Sequence, residues 1–340
     1  MAAGKLYNVA VIGATGIVGT EFLKIVAQRS FPLKGLKLLA TERSAGKRIP
    51  FGEGEIEVEV TSRDAIKGAD FIFISASDEA SKEYALAARE MGSIAIDDSG
   101  VWRQEPGVPL VVPEINPDDV NEHNGILAIP NCSTTPLVMC LWPLHKVNRI
   151  TRVIADTYQS VSGTGSAAVR ELEEQSRAWA QGRTAEASVY PQPIAFNLLP
   201  HVASFMESGY TKEEWKMTAE TRKIMHEPDL RVSATCVRAP VFVSHSVAAH
   251  VEFERPFAAT DVREILGGAP GVVVQDDPDA KLYPTPLDAA GKDPVFVGRI
   301  RNDVSHPNGV AMWISADNLR KGAALNAIQI AEEMISRGLV

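Results

Sequence analysis

YNVAVIGATGIVG, residues 7–19, decides the fold of this chain. Six mostly apolar residues lead into three glycines, Gly13, Gly16 and Gly19, and apolar residues at helical spacing follow them. This order predicts a strand, a tight turn and a helix. Glycines let the backbone approach a pyrophosphate, whose charge is favoured by the free N–H groups at a helix start. The stretch therefore predicts a dinucleotide-binding unit, although a glycine turn without a ligand would share the same local pattern.

Strand and helix patterns alternate through the first 130 residues, which predicts βαβ units and a parallel sheet. One stretch, residues 55–60, alternates strictly and is expected to be a peripheral, antiparallel strand. Longer strand patterns with few helices follow, and the helical tail is expected to return to the first sheet. We predict an α/β protein with a Rossmann-like dinucleotide-binding domain (residues 1–130 with 318–340) and a larger α+β domain for catalysis and dimerisation (131–317).

Composition narrows the function classes. The chain has 340 residues, a formal net charge of −9 and three cysteines without C-x-x-C spacing. Spread acidic charge argues against nucleic acid or an anionic membrane as partner, so an anionic ligand needs a local site. Three cysteines favour neither a disulfide scaffold nor a thiolate zinc site, and no metal is predicted. With residues 1–5 leading directly into a strand and no long apolar stretch, we expect a cytoplasmic protein.

The region about 20 residues beyond the glycines decides between two cofactors. It reads TERSAGK at residues 41–47. Arg43, Ser44 and Lys47 offer positive charge and hydrogen-bond donors to a 2′-phosphate, which favours NADP. Glu42 would instead favour the free 2′-hydroxyl of NAD, and a solvated loop is the third interpretation.

Cys132 lies in NCSTTP, residues 131–136, just before a predicted helix whose cap is Thr134 or Thr135. The partial positive charge of a helix start stabilises a thiolate and so lowers the pKa of the thiol. The free N–H groups at the start of this helix could also hold an oxyanion. Cys132 is therefore the candidate nucleophile, while Cys140 and Cys236 lie inside apolar patterns and are expected to be buried and inert.

A nucleophilic cysteine needs a proton carrier, and His245 is the strongest candidate. It follows Arg238 by seven residues in a strand and short connection, where a buried guanidinium would need an anion to meet. The alternative is a purely structural role for His245.

Further motifs occur in order along the whole chain. They are SGVWR at 99–103, VVPEIN at 111–116, PNCSTT at 130–135, YQSVSG at 158–163, EEWK at 213–216 and ADNLRKGAA at 316–324. Together with GATGIVG at 13–19 and the pair Arg238 and His245, these motifs resemble those of the bacterial aspartate-β-semialdehyde dehydrogenases.

That resemblance implies an NADP-dependent oxidoreductase. The implied reaction reduces L-aspartyl-4-phosphate to L-aspartate-4-semialdehyde and phosphate, reversibly, through a cysteine thioacyl intermediate. It belongs to the biosynthesis of lysine, threonine, methionine and diaminopimelate. The resemblance also implies a homodimer, with a tetramer left open.

Residue roles are carried over by the same resemblance. Cys132 is the implied nucleophile and His245 the acid/base. The implied substrate-binding residues are Asn131, Gln159 for the acyl group, Arg238 for the α-carboxylate, Glu213 for the ammonium, and Arg103 with Lys216 for the phosphate. The implied cofactor contacts are Gly13, Thr15, Gly16, Ile17, Val18, Gly19, Thr41, Arg43, Ser44, Ser162, Gly163 and Asn318. Two of the substrate-binding residues also have simpler explanations. A carboxylate such as Glu213 is favoured at the start of a helix, and a lysine such as Lys216 is common on a solvated helix face.

Two positions depart from the family pattern. The second glycine-rich stretch reads Gly163-Thr-Gly165, and serine stands at position 244 where glycine is expected before His245. Three other functions compete. N-acetyl-γ-glutamyl-phosphate reductase shares the plan, but its acetylated substrate has no ammonium for Glu213. Glyceraldehyde-phosphate dehydrogenase fits the glycine and Cys132-to-His245 spacings less well. A catalytically silent paralogue would be expected to have lost the nucleophile or the base.

Overall fold

A computed structural model of the chain describes residues 5–184 and 186–340. The chain divides into two compact units, one built from residues 1–130 with 323–340 and the other from residues 131–322. Of the amino-terminal stretch predicted to lead into the first strand, residues 1–4 lie outside the described part.

A seven-stranded sheet forms the centre of the first unit. Its strands are β1 (Tyr7–Ile12), β2 (Leu33–Ala40), β3 (Arg48–Phe51), β4 (Gly54–Val60), β5 (Phe71–Ile74), β6 (Ile94–Asp97) and β7 (Ile126–Ala128). They lie in the order β3-β4-β2-β1-β5-β6-β7, and only β3 pairs antiparallel with its neighbour. The predicted parallel sheet is confirmed. The expectation for residues 55–60 is half wrong, because β4 is antiparallel to β3 but parallel to β2.

Three helices belong to this unit: α1 (Ile17–Gln28), α2 (Asp78–Glu90) and α8 (Leu325–Ser336). Apolar residues of α1 and α8 share one core with the sheet. Arg29 beside α1 forms an ion pair of 2.6 Å with Glu332 of α8, and Asn326 donates its side-chain amide to the Val111 carbonyl. The C-terminal helix therefore packs on the first sheet.

The second unit contains a six-stranded sheet. Its strands are β8 (Ile150–Gln159), β9 (Arg231–Arg238), β10 (His245–Phe253), β11 (Val272–Val274), β12 (Val295–Asn302) and β13 (Gly309–Ala316), in the order β11-β12-β13-β10-β8-β9. The helices are α3 (Thr134–His145), α4 (Ser166–Ala180), α5 (Lys212–Ile224), α6 (Ala259–Gly267) and α7 (Pro286–Ala289). Local sequence patterns do not predict β11, β13, α6 or α7. None of the helices in the two described ranges is long and apolar enough to cross a membrane.

Residues 318–322 differ from their predicted placement. We expected them to begin the return to the first domain, but they belong to the second unit. The Asn318 side chain explains this, because its oxygen accepts hydrogen bonds from Ser160, Ser162 and Ser244 of the second unit. A π-helical turn, Arg320–Ala324, then precedes α8.

Strand direction gathers polar residues at one edge of the second sheet. β8 and β9 are parallel and end opposite each other, at Gln159 and Arg238. β10 runs antiparallel to β8 and so begins at this edge, with His245. β13 is antiparallel to β10 and ends here too, since Ala316 pairs with His245. Gln159, Arg238 and His245, distant in sequence, therefore lie at the same edge.

Candidate active site

Cys132 lies in a turn that Asn131 organises. The helix α3 begins at Thr134 with Ser133 as its N-cap, so Cys132 immediately precedes the cap and the predicted cap at Thr134 or Thr135 is wrong. The Asn131 carbonyl accepts from the N–H groups of Thr134 and Thr135 at 3.0 Å each. Its side-chain oxygen accepts from the Ser133 N–H at 2.9 Å. This turn fixes the backbone on both sides of Cys132.

These hydrogen bonds correct one expectation. The sequence allowed the first N–H groups of α3 to hold an oxyanion on the substrate. The N–H groups of Ser133, Thr134 and Thr135 already donate to Asn131, and Pro136 has none. An oxyanion donor must therefore come from another group, while the dipole of α3 still favours negative charge near Cys132.

Two buried carboxylates on α5 hold Asn131 from the other side. Glu220 Oε2 accepts from the Asn131 backbone N–H at 2.6 Å, and Glu213 Oε1 accepts from its side-chain amide at 2.8 Å. The two glutamates are seven residues apart and so share one face of the helix. Hydrogen bonds to charged acceptors are stronger than neutral ones. The N–H, carbonyl and side-chain oxygen of Asn131 are thus all used inside the chain, which favours a positioning role for this residue.

Glu213 also gathers the neighbouring site residues. The Gln159 side-chain amide donates to Glu213 Oε1 at 3.2 Å and to Ser133 Oγ at 2.5 Å. Lys216 Nζ lies 3.4 Å from Glu213 Oε2, one helical turn away. The structure therefore brings Asn131, Gln159, Glu213 and Lys216 together beside Cys132.

His245 is buried and neutral. Its Nδ1 accepts from the Ser160 backbone N–H at 3.0 Å, so the proton of the neutral ring lies on Nε2. Nε2 is buried and has no hydrogen-bond partner within the described residues. Burial, reinforced by the nearby Arg238 charge, lowers the pKa of His245 to about 3. The imidazole thus presents an unused N–H donor rather than a charged group.

Arg238 also contacts Ser160, the partner of His245. Its NH1 donates to the Ser160 carbonyl at 2.6 Å, while its buried Nε has no partner in the described chain. Gly163 faces both side chains, because a Cβ at that position would lie 3.0 Å from Arg238 NH1 and 3.1 Å from His245 Nε2. Glycine at 163 therefore leaves room beside the imidazole and the guanidinium.

Asn318 completes this side of the site. Its Oδ1 accepts from Ser160 Oγ and Ser162 Oγ, both at 3.1 Å, and from the Ser244 N–H at 2.9 Å. Because Ser160 also binds His245, one hydrogen-bonded network joins Asn318, Ser162 and the imidazole. The expected cofactor contacts Ser162, Gly163 and Asn318 are therefore neighbours of His245.

Arg103 belongs to the first unit, where a buried network holds its loop. Asp97 ends β6 and accepts from Ser81 Oγ at 2.5 Å and from the Ser99 N–H at 2.9 Å. Trp102 Nε1 donates to Ser81 Oγ, and Arg103 NH2 donates to the Asp98 carbonyl. Asp97 thus fixes the loop that carries Arg103.

A cavity of about 570 Å³ lies beside the glycine turn of the first unit. Among the residues that line it are the expected cofactor contacts Gly13, Thr15, Gly16, Thr41, Arg43 and Ser44. Glu42 lines it as well, so Arg43 and Glu42 both remain candidates to meet the ribose. Thr15 Oγ1 donates to Ser44 Oγ at 3.3 Å, which links the glycine turn to the segment that carries Arg43.

Local geometry supports the close approach of a ligand to this turn. Gly13 has φ +86°, and a Cβ there would lie 2.0 Å from the Ser75 carbonyl oxygen. α1 begins without a side-chain cap, which leaves its N-terminal amides for an anion. A Cβ at Gly19 would lie 2.3 Å from the Gly13 carbonyl oxygen. Ile17, Val18 and Gly19 do not line this cavity, but Ile17 and Val18 are the first two residues of α1 and supply two of its N-terminal amides.

The other cysteines are in the core, as expected. Cys140 in α3 and Cys236 in β9 are buried, and burial raises the pKa of both thiols. The partly accessible Cys132 is therefore the cysteine with access to a substrate.

Sequence reasoning missed Glu220, Ser160 and Ser133. Glu220 could have been found, because it lies two helical turns after Glu213 and is a carboxylate on the same buried face. Ser160 acts through its backbone N–H and carbonyl, which leave no trace in a sequence.

Family models match both parts of the chain. Residues 8–123 match "Semialdehyde dehydrogenase, NAD binding domain", and residues 141–321 match "Semialdehyde dehydrogenase, dimerisation domain". The aspartate-semialdehyde dehydrogenase of Aquifex aeolicus is 48% identical, over 98% of this chain and 99% of its own. That of Bacillus subtilis is 44% identical, over 99% and 100%.

Solved structures agree with these matches. The aspartate semialdehyde dehydrogenase II of Vibrio cholerae, complexed with ASA, has a TM-score of 0.94 and 42% identity over 98% of this chain and 99% of its own. The Candida albicans enzyme with NADP has a TM-score of 0.75 and 25% identity over 99% and 100%. With its two-unit fold, its cysteine turn and these relatives, the chain belongs to the aspartate-semialdehyde dehydrogenase family.

Proposed function

We propose that this chain reduces L-aspartyl-4-phosphate to L-aspartate-4-semialdehyde and phosphate, reversibly and with NADPH. The observation that carries this substrate is the pair of opposite charges beside the cysteine turn. Glu213 is a buried carboxylate, and Arg238 is a buried guanidinium whose Nε has no partner in the described chain. An amino acid with a free ammonium and an α-carboxylate matches both. An N-acetylated substrate has no ammonium for Glu213 to meet, and the similar proteins are aspartate-semialdehyde dehydrogenases, so the rival reductase is not favoured.

The proposed chemistry begins at Cys132. Its thiolate attacks the acyl carbon, the bond to the phosphate oxygen breaks, and inorganic phosphate leaves with that oxygen's electron pair. The product is a thioester on Cys132. Gln159 orients the acyl group, while Arg103 and Lys216 hold the departing phosphate. When bound, NADPH would supply the hydride that reduces the thioester. The carbon–sulfur bond then breaks, so the semialdehyde leaves and the Cys132 thiolate is regenerated.

His245 is proposed to handle the charge that develops on the acyl oxygen. With Ser160 donating to Nδ1, its Nε2–H can donate to that oxygen, which supplies the donor that the N–H groups of α3 do not. To accept a proton at Nε2, the ring would have to move its own proton to Nδ1, against the Ser160 N–H. The tautomer therefore favours a hydrogen bond from Nε2–H to the developing oxyanion, with the proton staying on the neutral ring.

The cofactor residues are proposed in two sets. Around the 570 Å³ cavity, the glycine turn and the start of α1 would hold the pyrophosphate, and Arg43 with Ser44 would meet the 2′-phosphate. At the edge of the second sheet, Ser162, Gly163 and Asn318 would contact the nicotinamide. The preference for NADP over NAD depends on Arg43, because Glu42 lines the same cavity and could accept from a free 2′-hydroxyl.

We further propose a homodimer, since residues 141–321 match a family model described as a dimerisation domain. We propose the cytoplasm as its compartment, because the Cys132 nucleophile must stay reduced and reducing conditions keep thiols free.

The first prediction concerns the nucleophile. Cys132→Ala should lower turnover by about a thousandfold or more, because no other accessible thiolate can form the thioester. The variant should still bind NADP. Phosphate-dependent reduction of NADP with aspartate semialdehyde measures turnover, and Cys140→Ala, at a buried cysteine of α3, is the matched control. Activity of Cys132→Ala within about tenfold of the wild type would remove Cys132 from the mechanism.

The second prediction separates the two arginines. Arg238→Leu should raise the KM for the semialdehyde by about a hundredfold, because it removes the buried partner of the substrate's α-carboxylate. The KM for phosphate should stay nearly unchanged. Arg103→Leu should do the reverse. Arg231→Leu, at the exposed start of the same strand β9, is the control and should alter neither constant. Equal changes in both constants from either variant would contradict the assignment.

The third prediction concerns the cofactor preference. Arg43→Ala should lower kcat/KM for NADP about tenfold to a hundredfold and leave that for NAD nearly unchanged, because NAD has no 2′-phosphate. Glu42→Ala should leave the NADP value within about twofold. Side-by-side kinetics with both cofactors measure this. A wild type that prefers NAD, or an Arg43→Ala variant with unchanged NADP kinetics, would assign the ribose to Glu42 instead.

A further inference from the structure

Ser244, the residue before His245, has a conformation that suits glycine. Its φ is +80°, in the left-handed region that side chains rarely adopt. This explains why the sequence pattern leads one to expect glycine here. A serine in this conformation lowers the stability of the fold, and such residues persist where the surroundings hold them, often at functional sites.

The Ser244 side chain carries a second cost. The residue is fully buried, and its Oγ has no hydrogen-bond partner within the described residues. A buried hydroxyl without a partner also destabilises a fold. A glycine would remove the strain and the unsatisfied hydroxyl together, so packing alone does not account for the serine.

The neighbours of Ser244 indicate what the hydroxyl could meet. Its backbone N–H donates to Asn318 Oδ1, which also accepts from Ser160 and Ser162. The backbone N–H can only donate, so the oxygen of the Asn318 amide must face it and the amide nitrogen must face away. No hydrogen bond from that nitrogen is found in the part of the chain that the structure describes. The Asn318 amide nitrogen and the Ser244 hydroxyl therefore both lack a hydrogen-bond partner among the described residues.

We infer that Ser244 Oγ is a hydrogen-bond partner for the carboxamide of the nicotinamide ring. A carboxamide carries one oxygen acceptor and one NH₂ donor, and the Asn318 amide nitrogen with the Ser244 hydroxyl offers the complementary pair. The cluster contains Ser162 and Asn318, two of the proposed cofactor contacts, and none of its hydrogen bonds involves Glu213 or Gln159, which favours the cofactor over the substrate. This inference rests on the proposed use of NADP.

Direct binding measurements test the inference without relying on turnover. Ser244→Ala removes the hydroxyl alone, and Ser244→Gly removes the hydroxyl and the strain. Each should bind NADPH about five- to tenfold more weakly than the wild type, the effect of one hydrogen bond. Each should bind 2′-phospho-ADP-ribose, which lacks the nicotinamide, with unchanged affinity. Calorimetric titration gives both constants, and Ser244→Gly should also unfold at a higher temperature than Ser244→Ala.

Ser30→Gly is the matched control. Ser30 is exposed and also has a positive φ, of 53°, so this change relieves strain without touching the cluster and should leave both affinities unchanged. Unchanged NADPH affinity in Ser244→Ala, or equal weakening of both ligands, would overturn the inference. Equal unfolding temperatures of the two Ser244 variants would remove the strain argument. A wild type that fails to bind NADPH at all would instead overturn the proposed cofactor.

Discussion

The site depends on the hydrogen bonds of Asn131. Its carbonyl and side-chain oxygen hold the first turn of α3, while its backbone N–H and side-chain amide are held by Glu220 and Glu213 of α5. Cys132 is the next residue, so its position is set by contacts on both sides of the turn. The arrangement also removes the N–H groups of α3 as oxyanion donors. The neutral ring of His245 presents Nε2–H nearby, which is why we propose it as the donor to an oxyanion.

Buried charge is the main stability cost of this arrangement. Glu213, Glu220 and Arg238 are all nearly inaccessible to water, and a buried ion is tolerated only when it is paired or well hydrogen-bonded. Glu220 is bonded to the chain through the Asn131 N–H, whereas Arg238 keeps an unused Nε. Arg238, His245 and Ser244 each have a buried polar atom without a hydrogen-bond partner in the described chain. All three residues lie at one edge of the second sheet, where strand direction gathers them. Such concentration is typical of a site prepared for a ligand.

Sequence patterns predicted the parts that depend on local physics. The glycine turn, the parallel sheet, the buried Cys140 and Cys236, and the two-part organisation follow from periodicity and residue type. β13 escaped prediction because it is buried along almost its whole length, and a continuous apolar run of this length fits a buried helix segment as well as a buried strand. The bonds of Ser160 to His245 and of Asn318 to Ser244 join distant residues through backbone groups or long-range contacts. They also explain why residues 318–322 lie in the second unit, which no local pattern reveals.

A single-turnover experiment without phosphate shows whether the thioester forms on Cys132. The wild-type protein is mixed with aspartate semialdehyde and NADP, NADPH formation is followed, and the quenched protein is digested for mass spectrometry. We predict a burst of NADPH equal to the concentration of active sites, an aspartyl adduct on the peptide that contains Cys132, and its release when phosphate is added. An adduct on another residue, or full turnover with phosphate and no adduct without it, would show that Cys132 does not form the thioester.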